Sequence, residues 1–351
     1  MKIRPLLMIL CVASCAYGAD NSEETKNTHF FNTLTRFQLQ RTMNFMRGSL
    51  GVHCDFCHVV DKQNGWQWEK DDKPTKRKAR SMIEMVVAMN EKYFDGKPVV
   101  SCYTCHQGHI KPNGQLPLPQ AAPTFPTVEP KPDLMGAPTA EQVLAKYFSA
   151  VGMEPGQQPF EKFTIHGTRT GDGESPEPME IAAVLPDKWF FKFSGSDGDI
   201  VEVVKGDSGW IKTPKGTKDF KPSEIESIQD NINTMNFFPV KPTYQNISVV
   251  DKTKIGNSDC YVLNAVVNDT TKEKLYFDSS SGLLVRRLIL TKTLVGNIPE
   301  QIDYADYSAV AGKQVPHTIT AEFADPWVGA VRKFIDIKTN VVIPDDQFEK
   351  K

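Results

Sequence analysis

At 351 residues, with 40% apolar and 24% charged side chains, the chain has the make-up of an ordinary soluble protein and the length of about two domains. A net charge of −2 supplies no whole-molecule attraction to nucleic acid or to an anionic membrane surface. No internal run of about 18 apolar residues occurs, so no segment beyond the N-terminus is expected to cross a membrane as a helix.

Residues 1–18 read as a secretory signal. Met1-Lys2-Ile3-Arg4 is a basic start, Pro5 to Ala13 is apolar, and the polar Asp20 to Glu24 follows. Two processing routes are open. Ala16-Tyr17-Gly18 offers a small-x-small cleavage site that would release a soluble protein starting at Ala19. Val12-Ala13-Ser14-Cys15 resembles the bacterial lipobox, which would leave Cys15 lipidated and the protein anchored by acyl chains. Either route puts the folded part in the periplasm or on the periplasmic face of a membrane. Cysteines in such a compartment usually pair. Cys11 and Cys15 fall in the signal region and four others in the motifs below, so Cys260 has no partner and is expected as a small buried apolar residue.

Residues 24–110 form the first expected domain, a small helical one. Leu39, Met43, Met46 and Leu50 recur on one helical face, and the helix should stop near Gly48 to Gly51. The chain then turns into Cys54-Asp-Phe-Cys57-His58, the attachment signature of c-type haem. Two thiols form thioethers with the porphyrin vinyl groups, and the adjacent His falls beneath the iron as proximal ligand. A second copy, Cys102-Tyr-Thr-Cys105-His106, follows. One Cys-x-x-Cys in a cytosolic chain can equally be a redox dithiol or half a zinc site. Two copies, each followed by His, on an exported chain point to two haem c groups.

Between the motifs, Trp66 and Trp68 are expected to pack on porphyrin edges. The run Lys73, Lys76, Arg77, Lys78 and Arg80 reads as a solvated helix face, with Arg77 or Arg80 as the sharper candidates for haem propionates. After Pro74-Thr75, a second stripe forms from Met82, Met85 or Val86, Met89 and Tyr93. A methionine stripe alone is more often core than ligand. Two such stripes, each preceding an attached haem, become candidate sources of the sixth iron ligand. Met43 could reach back over the first distal face; spacing leaves Met46, Met82, Met85 and Met89 open. His53 and His109 lie on the wrong side for their own haem and are candidates only for the neighbouring one.

Residues 111–138 carry eight prolines, at 112, 117, 119, 123, 126, 130, 132 and 138, and are expected to form an extended spacer. Residues 139–351 form the second expected domain. The capping box Thr139-x-x-Gln142 opens a helix with Val143, Leu144, Phe148 and Val151 on one side and Gly152 as its stop. Strands are expected at Phe163–Thr168, Met179–Leu185, Trp189–Phe193, Ile200–Val204, Tyr261–Val267, Glu273–Asp278, Leu283–Thr291, Ile302–Tyr307, His317–Phe323 and Arg332–Lys338. Turns such as Gly206-Asp-Ser-Gly209 and Asp278-Ser-Ser-Ser-Gly282 separate them. The expected fold class is α+β: a helical diheme domain followed by a curved, antiparallel β half-barrel with a packed helix.

Residues 30–114 resemble the photosynthetic reaction centre cytochrome c subunit. The resemblance is carried by Met43-Asn-Phe-Met-Arg-Gly-Ser-Leu-Gly-Val-His-Cys-Asp-Phe-Cys-His58, by Ala79-Arg-Ser-Met-Ile-Glu-Met-Val-Val-Ala-Met-Asn90, and by Val100-Ser-Cys-Tyr-Thr-Cys-His-Gln-Gly108 with Lys111-Pro112. It implies a helical Met on each haem, with Met43 and Met82 where the family's first- and second-type ligands sit. That subunit carries two haem pairs and one of its haems takes a His from the other pair. This chain has a single pair, which favours Met82 and leaves Met85 and Met89 open. A diheme relative is expected in respiring, non-phototrophic bacteria. The second domain resembles the LolA/LolB half-barrel, which covers a central helix and binds lipid-like groups. Its marks here are Gly206-Asp-Ser-Gly-Trp210, Tyr276-Phe-Asp-Ser-Ser-Ser-Gly-Leu-Leu-Val-Arg-Arg287, Ile302-Asp-Tyr-Ala-Asp-Tyr307 with Val315-Pro-His317, and a closing Asn340-Val-Val-Ile-Pro-Asp-Asp-Gln-Phe348.

The β half offers no nucleophile, carboxylate pair or metal cluster, so no enzyme is expected. The expected function is electron relay, with Met ligation raising the potentials. Partners would be a quinol-oxidising complex on one side and an oxidase or reaction centre on the other, with no nucleic acid. Two rivals are a diheme peroxidase, which needs one displaceable distal ligand, and a lipid or quinone carrier whose haems sense or oxidise the cargo.

Overall fold

The computed structural model describes residues 27–350, apart from 35, 64, 116–117, 120–133, 158–159, 172–174, 196–197, 223, 226–227, 229–236 and 242. The signal, the lipobox Cys15 and most of the proline-rich spacer therefore lie outside the described residues.

Helix α1 (Arg36–Leu50) ends where Gly51 takes the left-handed φ of 65° that a side chain would resist. Helix α2 (Pro74–Tyr93) starts on a proline, whose missing N–H costs nothing in a first turn. Its buried face carries Lys76, Ile83, Val86 and Asn90. Between them a short antiparallel hairpin, β1 (Val59–Asp61) and β2 (Gly65–Gln67), returns the chain. Helix α3 (Cys102–His106) is a single capped turn. Helix α4 (Ala140–Val151) has the expected cap: the Gln142 N–H donates to Thr139 Oγ1 at 3.3 Å and the Thr139 N–H to Gln142 Oε1 at 2.8 Å.

The rest is one 13-stranded antiparallel sheet. Its strands are β3 (Lys162–Gly171), β4 (Glu177–Val184), β5 (Lys188–Gly195), β6 (Gly198–Lys205), β7 (Ser208–Thr213), β8 (Gly216–Asp219), β9 (Asn246–Ile255), β10 (Ser258–Val266), β11 (Thr271–Asp278), β12 (Leu284–Thr293), β13 (Gly296–Val310), β14 (Lys313–Phe323) and β15 (Ala330–Thr339). Two meanders, β3 to β8 and β9 to β15, are joined where β15 pairs with β3. All ten expected strands are present within a few residues; β7, β8 and β9 were not among those expected.

Helix α4 touches both β14 and β9. Those strands stand five places apart in the sheet, about 24 Å at the usual strand spacing, whereas a helix is only about 10–12 Å wide. One helix can meet both only if the sheet curls around it. The main core forms there: Tyr147 and Val151 of α4 bury against Phe277, Leu275, Leu263 and Phe334. Phe348, from a closing 3-10 turn (Asp345–Phe348), packs with Phe190 and Trp210 in a second cluster. Cys260 is buried on β10, as its lack of a partner suggested.

A third, smaller cluster joins the helices to the sheet. Its buried members are Phe31, Phe45 and Ile83 from the helical part, Val295 from the β12–β13 turn and Ile298 from the start of β13. Met43, Met46, Val87 and Cys102 pack around it. No described helix is long and apolar enough to cross a membrane.

Candidate functional site

Both Cys-x-x-Cys-His motifs follow a helix or a cap that aims them. After Gly51 the chain enters a 3-10 turn, Cys54–Phe56, and the His58 N–H donates to the Cys54 carbonyl at 2.9 Å. Cys54, Cys57 and His58 therefore share one turn. The second motif is α3 itself. Ser101 caps it reciprocally with Thr104, and the side-chain amide of Asn90 clasps both backbone groups of Val100 at 2.8 and 2.9 Å. The Gly108 N–H donates to the Ser49 carbonyl at 2.9 Å, which ties the second motif to the end of α1.

The two histidines are held in the same way. His58 Nδ1 lies 3.1 Å from the carbonyl oxygen of Trp68, and His106 Nδ1 lies 2.9 Å from that of His109. A carbonyl can only accept, so the proton belongs on Nδ1 and the Nε2 lone pair is left for a metal. Burial, with help from Lys76 and Lys73, pulls the His58 imidazole down to a pKa of about 4. It is thus neutral, the form that binds iron.

The cysteines do not look like a redox dithiol. Burial pushes the Cys54 and Cys57 thiols up and raises Cys102 to about 11. An attacking dithiol needs the opposite shift. Among the described residues no three His, Cys, Asp or Glu side chains gather as a shared metal site, so the two motifs do not pool their ligands. Paired thiols beside a neutral imidazole of fixed tautomer suit a covalently held haem.

The hairpin after the first motif brings Trp68 edge-on to His58, ring centroids 5.0 Å apart, and stacks Trp66 on Trp68 at 4.5 Å. A cleft of about 620 Å³ opens beside Cys54, lined by Arg47, His53, Asp55, Val59, Val60, Trp66 and Lys73. The basic run of α2 serves as a clamp on this loop. Lys76 Nζ donates to the carbonyls of Trp68 and Lys70 at 2.6 and 2.8 Å, Lys73 to that of Asp55, and the Thr75 hydroxyl to that of Phe56. Arg77 reaches the Asp71 and Asp72 carbonyls, and Arg80 pairs with the Asp71 carboxylate.

Met43 and Met46 pack on the small core that joins helices and sheet. Met82 and Met89 are half-buried on α2, whereas Met85 and Tyr93 face solvent. His109 contributes its carbonyl to His106. His53 packs at a tilt against Trp327, ring centroids 4.5 Å apart, and the Arg47 guanidinium lies 5.1 Å from the same ring. Arg47 also pairs with Asp325 at 2.7 Å. Asp325, Trp327 and Glu300 carry no motif, and nothing short of the folded chain reveals that they abut the helices.

Residues 11–126 match the family described as "Photosynthetic reaction centre cytochrome C subunit". A relative with that description, from Thermochromatium tepidum, is 32% identical over 104 residues, 28% of this chain and 24% of the relative. The match thus spans about a quarter of that relative's length. Solved structures similar to this one cover the sheet. A LolA superfamily protein from Nitrosomonas europaea is 15% identical over 61% of this chain and 99% of its own, with a TM-score of 0.38. An outer membrane lipoprotein-sorting protein domain from Vibrio parahaemolyticus is 13% identical over 60% and 94%, at 0.37. A DUF1329 family protein from Desulfovibrio piger is 13% identical over 59% and 97%, at 0.39. The first two bear the descriptions that the sequence resemblance named, and all three superpose too loosely to say what the sheet does.

Proposed function

We propose that this chain is an exported c-type cytochrome that relays electrons through two haems c. Cys54 and Cys57 would hold the first, with His58 as its proximal ligand; Cys102, Cys105 and His106 would hold the second. Met43 would complete the first iron and Met82 the second, with Met85 and Met89 the alternatives. The observation that carries this reading is the matched pair of histidines, each with Nδ1 on a backbone carbonyl and Nε2 left for iron. The family match over residues 11–126 supports the same chemistry.

When bound, each haem supplies an iron that takes up or gives back one electron. The chain's own part is to keep that exchange cheap. The Trp68 and His109 carbonyls orient the imidazoles, the α2 clamp holds the first loop still, and a Met thioether raises the potential relative to a second His. With the ligands supplied by the chain, no substrate has to bind. A quinol-oxidising complex would be the donor and an oxidase or reaction centre the acceptor. The folded part would work outside the cytoplasm, anchored through Cys15 if that residue is lipidated.

Haem counting tests this. The purified protein should carry two haems that resist extraction, and Cys57→Ala and Cys105→Ala should each lose one. A single haem, or haem that extracts freely, would overturn the reading. Potentiometric titration of Met43→Ala and Met82→Ala should lower one midpoint each, and an unchanged Met82→Ala would move the second ligand to Met85 or Met89.

A further inference from the structure

Helix α1 presents Met43 between two ion pairs whose acidic partners come from the far end of the chain. Arg41 pairs with Glu300 on β13, their side chains only 7% and 2% exposed. Arg47 pairs with Asp325 at 2.7 Å, the carboxylate fully buried, and the Trp327 N–H donates to the other oxygen of Asp325 at 3.0 Å. Between these pairs Phe45 is buried with Val295 of the β12–β13 turn and Ile298 of β13, and Met43 packs on the same cluster.

The contacts leave no slack. Gly296 holds a φ of 138°, and a Cβ there would stand 2.6 Å from Ser101 Cβ and 3.3 Å from Phe45 Cζ. One turn of sheet thus touches both the helix bearing Met43 and the residue that caps the second motif. On the other side, a Cβ at Gly48 would run into the Ala324 carbonyl oxygen. Helix α1 cannot tilt or withdraw without stranding a buried charge, a strongly unfavourable event.

We infer that Glu300 and Asp325 are positioning residues for the first haem: acting through Arg41 and Arg47, they hold α1, and with it the Met43 thioether, in place for the iron. The sheet then sets the ligation and potential of a haem to which it is not attached. The inference rests on the assignment of Met43 proposed above.

The test uses the full-length, haem-loaded protein with Glu300→Gln and Asp325→Asn. Each variant is titrated potentiometrically while the thioether-to-iron charge-transfer band is followed. One midpoint should fall and the band should weaken, with the other haem unmoved. The sign is diagnostic, because removing a carboxylate would by charge alone favour the reduced iron and raise the midpoint. Glu273→Gln is the control. It breaks a buried pair with Arg287 (2.6 Å) elsewhere in the sheet and should lower stability while leaving both midpoints alone. If Glu300→Gln does not fold, Asp325→Asn carries the test, since its partner Arg47 keeps some access to water. Folded variants with unchanged band and midpoints, or with a midpoint that rises, overturn the inference. Met43→Ala separates the two readings. If it leaves the band intact, the ligand assignment itself is wrong. If it removes the first haem's share of the band, leaving that of the second, while the carboxylate variants leave the whole band untouched, only the positioning role falls.

Discussion

His58 shows how a single environment serves both fold and site. Its ordinary pKa of 6.5 drops to about 4, first because burial disfavours the cation and then because Lys76 and Lys73 add positive charge nearby. The folded imidazole stays neutral where the unfolded one would take a proton. Stability is therefore fully present above about pH 6.5 and declines as pH falls toward about 4, because the unfolded state then binds the extra proton. Urea midpoints of the haem-free protein, in which no iron holds the imidazole, should fall steadily between about pH 7 and about pH 5. A flat profile would mean that His58 is not held neutral by burial.

At the scale of elements, the close approach of α1 to the β14–β15 loop depends on Gly48. Alanine there would favour the helix by about 1 kcal/mol. Its Cβ would also run into the Ala324 carbonyl, and such overpacking costs about 1–3 kcal/mol. Gly48→Ala is expected to lower the urea midpoint and to disturb the first haem's spectrum. A more stable variant would show that helix and loop are not in tight contact. Sequence reading placed α1, α2 and α4 because their caps and stops are local: Gly51, Pro74, and the Thr139–Gln142 box with Gly152. It read the basic run of α2 as a solvated face or as propionate partners. Lys73, Lys76 and Arg77 of that run also reach backbone carbonyls of Asp55 and of the 68–72 stretch, acceptors that no residue type announces.

For the molecule as a whole, the small cluster shared by Phe31, Phe45, Ile83, Val295 and Ile298 makes helices and sheet mechanically one. With two buried ion pairs crossing the same boundary, neither part can open without exposing apolar surface and charge from the other. Thermal unfolding followed at the haem and by the sheet's far-ultraviolet signal should therefore give one coincident transition. A haem transition well below that of the sheet would show the helical part to be independent.

The two Cys-x-x-Cys-His motifs, the helices that precede them and the alternating strands of the second half are legible in the residues alone. Each of those rests on spacing within a few residues, where chemistry and periodicity are written side by side. Folding alone brings the Trp68 and His109 carbonyls to the two imidazoles and Glu300 and Asp325 to the helix carrying Met43. A carbonyl acceptor has no residue signature. A pair such as Arg41 and Glu300, more than 250 residues apart, exists only because the sheet curls back and brings its β12–β13 turn against α1.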